Sequence, residues 1–282
     1  MLTLRNTWLE DGHKFVRWSP DSSKLLKQVK TVLSDQLKRH LSRRCSHVKG
    51  NGGVKLSVRY SQRLCNNFGY VARFDVRSYY KSMDHQIILN LLRKYQVTPA
   101  VISIVSEYLS LPNHNKSGKG MIAGGSISPL IGALYLTPLD KLMEDLQATT
   151  GIRYQRYMDD YVIFAPTRHK LRKAIKQMYA VLDDLKVEVH PKKRFIGTTR
   201  RGFDFLGYWL EPHRPLMPSQ VSLTRLIDRS RQLLERTASI ARLRQYILRW
   251  LQWHRSGLRG LTDKRRRFEW YWRYVLDNYV VS

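Results

Sequence analysis

The sequence predicts an α+β fold, in which a few short strands are embedded among longer amphipathic helices. Two short runs of β-branched and aromatic residues, at 71–76 and 156–165, have the composition of buried strands. Apolar residues at helical spacing fill much of the remaining chain, and residues 219–282 show this pattern almost throughout. With 282 residues the chain can bury a substantial core, so we expect one domain with subdomains.

The charge of the chain indicates a nucleic-acid partner. Lysine and arginine total 50 against 22 aspartates and glutamates, a formal net charge of +28 that is spread over the whole sequence. Such a distribution suits a long polyanion bound across the surface. The alternative, a membrane surface bound by basic amphipathic helices, ranks lower, because no segment approaches the roughly 18 apolar residues of a spanning helix.

The N-terminus and the cysteines predict a cytoplasmic protein. Residues 1–10 lack an apolar core followed by a small-residue cleavage site, so we expect no secretory signal. Cys45 and Cys65 lack partners at metal-ligand spacing and are too few for a disulfide framework. Both are predicted to be free thiols.

The first part of the chain combines a helix with a glycine-rich segment. A helix is predicted over 21–44, capped by one of the polar residues at 21–23. The glycine-rich loop at 49–53 is followed by alternating residues at 54–59 that predict a strand, and an ordinary hairpin turn is the plainest interpretation. The functional alternative is a triphosphate-gripping tip, although the Gly-Lys-Ser/Thr ending of a Walker loop is missing. Its cations are Lys49, Lys55 and Arg59.

The remaining elements follow from the same patterns. Helices are predicted over 86–94, 99–109, 131–146 and 168–185, with a loop over 112–120, a short strand over 186–190 and a hairpin over 203–210. Three prolines between 212 and 218 mark a subdomain boundary. The helices beyond it interleave aromatic and basic residues, which suits contact with a duplex backbone.

Three carboxylates stand in the two strand-like runs. Asp159 and Asp160 interrupt the run at 156–165, and Asp75 lies in the run upstream. For an isolated Asp-Asp pair, a polar turn between strands is the ordinary interpretation. Buried carboxylates without partners are costly, however, so we expect a cation to compensate them and the three acids to form one site.

Clustered carboxylates of this kind suit phosphodiester synthesis. That reaction needs an activated 3′-hydroxyl, a stabilised transition state and a stabilised pyrophosphate, and two Mg²⁺ ions about 4 Å apart can serve all three. Hard cations choose carboxylate oxygens. In this hypothesis Asp75 and Asp159 bridge the two ions, the carbonyl of Val76 completes one shell, and Asp160 supports the other.

Five ordered boxes within residues 49–210 resemble those of reverse transcriptases. Tyr157-Met158-Asp159-Asp160 matches their Tyr-x-Asp-Asp box, and Phe74-Asp75-Val76 followed by Tyr79-Tyr80 resembles their upstream carboxylate motif. The other boxes are Gly124-Gly125-Ser126-Ile127-Ser128-Pro129, His190-Pro191-Lys192-Lys193 and Phe205-Leu206-Gly207. The similarity is greatest towards bacterial enzymes related to group II introns and retrons, especially stand-alone, defence-associated lineages.

The resemblance implies substrate contacts for several matching residues. Tyr80 would be a steric gate that clashes with a 2′-hydroxyl and so selects dNTPs, whereas Tyr79 suits the core. Gly125 would lie in the substrate-binding loop, and Lys193 near the incoming triphosphate, with a plain surface position as its alternative. The primer grip would consist of Phe205, Leu206 and Gly207.

One position departs from the family pattern. Group II and retron enzymes usually carry Pro-Gln-Gly before the Ser-Pro box, whereas this chain has Ile122-Ala123-Gly124. Ala123 therefore replaces a glutamine that would touch nucleotide and template. This difference bears on fidelity and template handling more than on catalysis.

The resemblance also implies a right-hand polymerase fold with fingers, a palm containing an antiparallel sheet, and an α-helical thumb. We expect the fingers at 1–70 and 86–120, the palm at 71–85 and 121–212, and the thumb at 213–282. In a chain this short we expect no endonuclease or RNase H domain. A dedicated, structured non-coding RNA is therefore the expected template, copied into cDNA from a DNA primer.

The predicted function is RNA-directed DNA polymerisation in antiphage defence. Alternatives are a retron or mobile-retroelement enzyme, an RNA-dependent RNA polymerase, which Tyr80 disfavours, and a catalytically silent RNA-binding scaffold. The intact set of three acids argues against the scaffold. The sequence identifies no protein partner.

Overall fold

A computed structural model describes residues 2–10, 13–111, 118–263 and 265–280. The α+β class is confirmed by the presence of both helices and small sheets with antiparallel pairing. The helices are α1 (Pro20–Leu37), α2 (Gly53–Asn67), α3 (Tyr79–Ser82), α4 (His85–Lys94), α5 (Pro99–Ser110), α6 (Ser128–Tyr135), α7 (Thr137–Thr150), α8 (Arg168–Asp184), α9 (Gln220–Glu235), α10 (Ile240–Arg255) and α11 (Phe268–Val280). None of these helices is both long enough and apolar enough to cross a membrane.

The strands form three sheets within the described residues. The first pairs β1 (Leu4–Glu10) with β2 (His13–Trp18), and the last contains β7 (Phe203–Phe205), β8 (Tyr208–Leu210) and β9 (Met217–Pro218). The central sheet has the order β4 (Arg153–Tyr157), β5 (Asp160–Ala165), β3 (Tyr70–Asp75), β6 (Phe195–Thr198). Strand β3 thus lies next to the β4–β5 hairpin, although about eighty residues of sequence separate them.

The chain divides into two compact units. Unit 1 comprises Met1–Gly53 and Ala72–Phe195, and unit 2 comprises Val54–Val71 and Ile196–Ser282. Unit 1 contains the β4–β5 hairpin, whose strands are almost fully buried. This division by contacts does not test the predicted fingers, palm and thumb, which stay a prediction.

Unit 2 has its own core, formed by helices α9, α10 and α11. Leucines, an isoleucine and aromatic residues recur on the inner faces of these helices, as the helical pattern predicts. The buried cluster consists of Leu223, Leu226, Leu243, Ile247, Leu251, Tyr271 and Val275.

Most of the predicted helices after residue 80 are confirmed. Helices α4, α5 and α8 lie within one residue of their predicted bounds, and the hairpin over 203–210 is β7–β8. The predicted helix over 131–146 is two helices, because Pro138, in the first turn of α7, lacks an N–H and cannot continue α6. Of the predicted loop over 112–120, residues 112–117 lie outside the described part of the chain.

The strand predicted over 54–59 is wrong, because these residues belong to helix α2. Their alternation would place Leu56 and Val58 on one face of a strand. Leu56 is instead 52% exposed, whereas Val58 is fully buried together with Ser61 and Cys65, which follow at helical spacing.

Two smaller expectations also need correction, and one element was missed. Helix α1 ends at Leu37 and is capped by Ser19, whose hydroxyl accepts the Ser22 N–H, because Pro20 fits the first helical turn. The strand predicted over 186–190 is reduced to one bridge between Val189 and Val76. The N-terminal hairpin β1–β2 was not predicted at all. Cys45 and Cys65 are both free, as predicted, and both are buried.

Candidate active site

The central sheet brings the predicted acids together in unit 1. Asp75 is the last residue of β3, and Asp159 lies in the turn between β4 and β5, where Tyr157 pairs with Asp160. The Val76 N–H donates to the Asp159 carbonyl over 3.3 Å. Strand order therefore places Asp75 beside the turn, as one site would require.

Burial and neighbouring charges shift the ionisation of Asp159 and Asp160. Burial raises the pKa of Asp159, and the nearby Asp75 carboxylate raises it further. Burial also raises the pKa of Asp160 to about 6; Arg73 opposes this shift, while Asp75 and Asp159 add to it. The site thus concentrates negative charge in a poorly solvated position.

Two cations offset this charge, as the sequence led us to expect. The Lys193 ammonium lies 3.2 Å from Asp75 Oδ2. The Arg73 guanidinium lies 3.3 Å from Asp160 Oδ1, and both of these side chains are largely buried. Asp160 is thereby paired with an arginine, whereas Asp75 is paired with Lys193, whose charge also acts on Asp159.

The carboxylates of Asp75 and Asp159 are suited to binding a divalent cation. Within the described residues no group of three or more His, Cys, Asp or Glu side chains is already arranged to hold a metal ion. The Asp75 carboxylate nevertheless raises the pKa of Asp159, which is an effect that a bound cation would relieve. These two carboxylates fit a hard divalent ion, with Asp160 held beside them.

A buried arginine fixes one side of the acidic turn. Arg156 is fully buried and forms an ion pair with Asp140, which also accepts the Tyr154 hydroxyl at 2.9 Å. Arg156 Nε donates to Asp140 Oδ1 over 2.8 Å, and Nη1 donates to the Met158 carbonyl over 2.9 Å. A buried ion pair is tolerated only with good geometry, so the pairing with Asp140 fixes the position of the guanidinium. The guanidinium in turn fixes the Met158 carbonyl at the start of the turn.

A histidine holds the other side of the same turn. The Met158 N–H donates to His47 Nδ1 over 3.0 Å, and His47 Nε2 lies 3.1 Å from the Pro129 carbonyl. A neutral imidazole protonated at Nε2 satisfies both contacts. Burial lowers the pKa of His47 to about 4, and the charge on Arg156 lowers it as well. His47 therefore connects the Ser-Pro loop with the acidic turn.

The adjacent tyrosines have different environments. Tyr79 is buried and donates its hydroxyl to the Gly132 carbonyl over 2.6 Å. Tyr80 is only partly buried and stacks on Tyr79 with ring centroids 5.8 Å apart. A Cβ at Gly132 would lie 3.3 Å from the Tyr80 ring, so a glycine leaves room for this ring to pack.

The loop before the Ser-Pro box packs on a buried tyrosine. Tyr108 donates its hydroxyl to the Ile122 carbonyl and contacts Ser128 Oγ, both at 2.7 Å. A Cβ at Gly125 would lie 2.2 Å from that hydroxyl, so this position accepts only glycine without rearrangement. Ala123 is exposed in the same loop. Its surroundings do not explain the departure from the family pattern.

The more loosely matched residues lie in different environments. Lys49 is exposed in unit 1. Lys55 and Arg59 belong to unit 2, where the Lys55 ammonium donates to the Trp253 carbonyl and Arg59 donates to the Gly257 carbonyl. Burial lowers the pKa of Lys55 to about 8. Their role in triphosphate binding stays a prediction.

The predicted primer grip is the turn of the β7–β8 hairpin in unit 2. Phe205 is buried at the end of β7, and Leu206 and Gly207 follow with positive φ angles of 50° and 85°. The Gly207 carbonyl accepts the Ser219 N–H over 3.0 Å. The turn is therefore well defined within its own unit, and contact with a primer stays a prediction.

Sequence reasoning missed the residues that hold the site in place. Arg156, Asp140, His47 and Tyr108 were not among the predicted site residues. One signal was present: an arginine inside an apolar strand needs a buried acid, and Arg156 directly precedes the acidic box. The histidine and the tyrosine carry no comparable signal, since only the fold brings them to the turn and to the loop.

Comparison with known proteins gives the site a context. A family model described as "Reverse transcriptase (RNA-dependent DNA polymerase)" matches residues 19–210, more than half of the chain. A search of curated protein sequences found no match.

Solved structures share the fold at low identity. The apo telomerase of Candida tropicalis aligns with a TM-score of 0.57 and 12% identity, over 92% of this chain and 51% of that one. Its form truncated from the C-terminal domain gives 0.53 and 14%, over 70% and 45%. Candida albicans telomerase in complex with a TWJ fragment of telomeric RNA gives 0.53 and 11%, over 92% and 51%. The chain thus spans about half the length of these proteins, and the likeness concerns the fold.

Proposed function

The chain belongs to the reverse transcriptase (RNA-dependent DNA polymerase) family, and we propose that it extends a DNA primer with dNTPs on an RNA template. It has the right-hand polymerase fold of that family. The observation that carries the proposal is the placement of Asp75, at the end of β3, beside Asp159 in the β4–β5 turn. An acidic pair held on a rigid sheet is what metal-dependent phosphoryl transfer requires of a protein.

Asp75 and Asp159 are the proposed metal ligands, and Asp160 supports them. Reverse transcriptases generally use divalent metal ions, and we propose two Mg²⁺ ions here, with the Val76 carbonyl as a further ligand. When bound, such ions activate the 3′-hydroxyl and stabilise charge on the phosphates. The pairing of Asp160 with Arg73 keeps this third carboxylate at a fixed position next to the ligands.

Lys193 and Tyr80 are proposed to act on the incoming nucleotide. Lys193 lies beside Asp75, so its ammonium can move from the carboxylate to a triphosphate oxygen when substrate enters. Tyr80 presents a partly exposed ring that is supported by Tyr79 from behind, which suits a gate below the sugar. Gly125 contributes backbone to the loop that receives the nucleotide.

Further contacts in the proposal rest on motif matches. Lys49, Lys55 and Arg59 would help to hold the triphosphate, and the turn Phe205-Leu206-Gly207 would grip the primer. The fingers, palm and thumb keep the bounds given above.

The biological role proposed is antiphage defence, with a structured non-coding RNA as template and cDNA as product. Support for this role comes from the resemblance of the sequence boxes to stand-alone bacterial enzymes. A retron or mobile-retroelement enzyme is the alternative. Each of these enzymes would extend a primer, whereas a catalytically silent RNA-binding scaffold would not.

Primer extension on an RNA template with Mg²⁺ tests the proposed activity. We expect extension by the wild type and a loss of at least about 100-fold in Asp159→Asn, which preserves side-chain shape and removes the charge. The matched control is Asp184→Asn, an exposed aspartate on α8, which should retain full activity. Equal extension by wild type and Asp159→Asn would contradict the assignment of the acids.

The choice of sugar tests the gate separately. The wild type should incorporate dNTPs in strong preference to rNTPs, and Tyr80→Ala should lose that preference because the ring is gone. Tyr80→Phe keeps the ring and should keep the preference. An unchanged dNTP-to-rNTP ratio in Tyr80→Ala would exclude Tyr80 as the gate.

A further inference from the structure

A concave surface in unit 1 has features that the proposed polymerase reaction does not use. It has a volume of about 860 Å³ and is lined by residues 35, 36 and 38–43, by the two residues that follow α4, and by the first turns of α7. The three predicted catalytic acids are absent from its lining. We call this surface the 38–43 cavity.

Cations converge on the 38–43 cavity from separate parts of the chain. Lys38, Arg39 and Arg43 follow helix α1, and Lys141 lies on α7; all four are exposed. Within the described residues none of them forms an ion pair with a carboxylate, although Arg73 and Lys193 in the same unit do. The four positive charges are therefore available to an external anion.

One of the three acids of the cavity is already neutralised by a cation. Asp140 is buried beneath the cavity and is neutralised by Arg156. Glu144 accepts a hydrogen bond from the Ser42 hydroxyl. Asp35 and Glu144 are exposed and not paired with a cation among the described residues, so four cations face two acids.

An aromatic stack lies among these cations. The His40 ring stacks on Tyr95 with centroids 4.4 Å apart and an interplanar angle of 18°. The Lys141 ammonium lies 4.9 Å from the centre of the Tyr95 ring. Burial lowers the pKa of His40, and Arg39 and Lys141 lower it further, so the imidazole is neutral near pH 7. A neutral, half-exposed ring backed by a second ring can stack on a nucleobase.

We propose that the 38–43 cavity binds an unpaired segment of RNA, with phosphates on Arg39, Arg43 and Lys141 and a base against His40. Single-stranded RNA is the partner that this combination fits, because it offers both a polyanionic backbone and exposed base faces. The choice of RNA as the partner rests on the proposed function. The site itself lies apart from the acids and holds the RNA outside the reaction centre.

Equilibrium binding of a hairpin RNA with a single-stranded loop tests this site. In Arg43→Glu/Lys141→Glu we expect at least a tenfold loss of affinity, and a slope of log K against log salt reduced by about 1.4, since each phosphate contact contributes about 0.7. The matched control is Lys173→Glu/Lys176→Glu, two exposed lysines on α8, which should leave most of the affinity intact. His40→Ala should lower affinity without changing the salt slope, because stacking releases no counterions.

The outcomes separate this site from the proposed polymerase. Extension of a saturating, pre-annealed primer–template should be unchanged in Arg43→Glu/Lys141→Glu, so a loss of RNA affinity with intact extension supports the cavity. Equal losses in this double variant and its control would overturn the site in favour of diffuse attraction. Unchanged RNA affinity would overturn it as well, whatever the polymerase activity. Should the double variant fold poorly by circular dichroism, Arg43→Gln/Lys141→Gln repeats the test with a milder change.

Discussion

At the residue scale, Met158 shows how the acidic turn is held. Its φ angle of 57° is left-handed, which costs a side-chain-bearing residue on the order of 1 kcal/mol. Both of its backbone groups are engaged, the N–H by His47 and the carbonyl by Arg156. Hydrogen bonds worth about 1 kcal/mol each can offset that strain, so the turn presents Asp159 in one conformation.

His47→Ala is predicted to lower kcat for primer extension by about 10-fold to 100-fold, because a small displacement of the reacting groups is costly. KM for dNTPs should change little, since His47 is not among the residues proposed to contact substrate. His47→Gln places an amide where the ring donates and accepts, so it should recover part of kcat. Steady-state and single-turnover kinetics provide the measurement.

His169→Ala is the matched control, because this histidine is exposed on α8. It should leave kcat unchanged. If His47→Ala and His169→Ala had the same kcat, His47 would have no part in positioning Asp159.

Gly125→Ala is predicted to lower the free energy of unfolding by about 1–3 kcal/mol, because the added Cβ meets the buried Tyr108 side chain. Gly69→Ala is the matched control: no heavy atom lies within 4 Å of its added Cβ. Chemical denaturation provides the measurement. Equal stability of the two variants would show that the loop at 122–128 adjusts freely around Tyr108.

At the scale of elements, helix α10 carries a titratable group into the core of unit 2. His254 is 2% exposed and stacks between Tyr208 and Trp250, with centroids 4.3 and 5.4 Å away. Neither ring nitrogen has a hydrogen-bond partner among the described residues. Burial lowers the pKa of His254 to about 3, and the charges of Lys55 and Arg255 lower it further.

Acid should therefore weaken this unit through His254. The unfolded chain binds a proton near pH 6.5 and the folded chain only near pH 3, so stability falls as the pH drops between these values. The contribution amounts to about 2 kcal/mol between pH 7 and pH 5. His254→Phe should abolish it, so the variant should lose less stability over this range than the wild type. Denaturation curves of both proteins at pH 7 and pH 5 provide the measurement. An equal loss of stability in the wild type and the variant would contradict the prediction.

Helix α2 shows why a sequence pattern can predict the wrong secondary structure. The alternation of Val54, Leu56 and Val58 fits a strand, yet the same residues fit a helix whose buried face continues through Ser61 and Cys65. Only the long-range packing of α2 distinguishes the two periods. Helices such as α4 and α8 were predictable because their apolar repeats extend over several turns and admit one interpretation.

At the scale of the whole molecule, charge governs the proposed association with RNA. A net charge of +28 in 282 residues attracts any polyanion, and this attraction depends on counterion release. Affinity for RNA should therefore fall at least about tenfold between 50 and 200 mM salt. Titrations at several salt concentrations measure the slope, and an affinity independent of salt would contradict an electrostatic mode of binding.

The sequence by itself determined the chemistry of this protein. Three features can be recognised without coordinates. They are the carboxylates in apolar strands, the fixed order of the boxes and the dispersed positive charge. They predicted Asp75, Asp159 and Asp160 as one acidic site and the α+β class of the fold. The expected compensating cations were found as Lys193 and Arg73.

Only the tertiary structure decided how the site is supported. His47 reaches Met158 across 111 residues of sequence, and the 38–43 cavity joins segments about 100 residues apart. Contacts at such separations depend on the packing of the whole unit, because no local periodicity or motif encodes them. Short sequence patterns therefore predict which residues form the acidic site. The positions of these residues depend on long-range hydrogen bonds that form only in the folded chain.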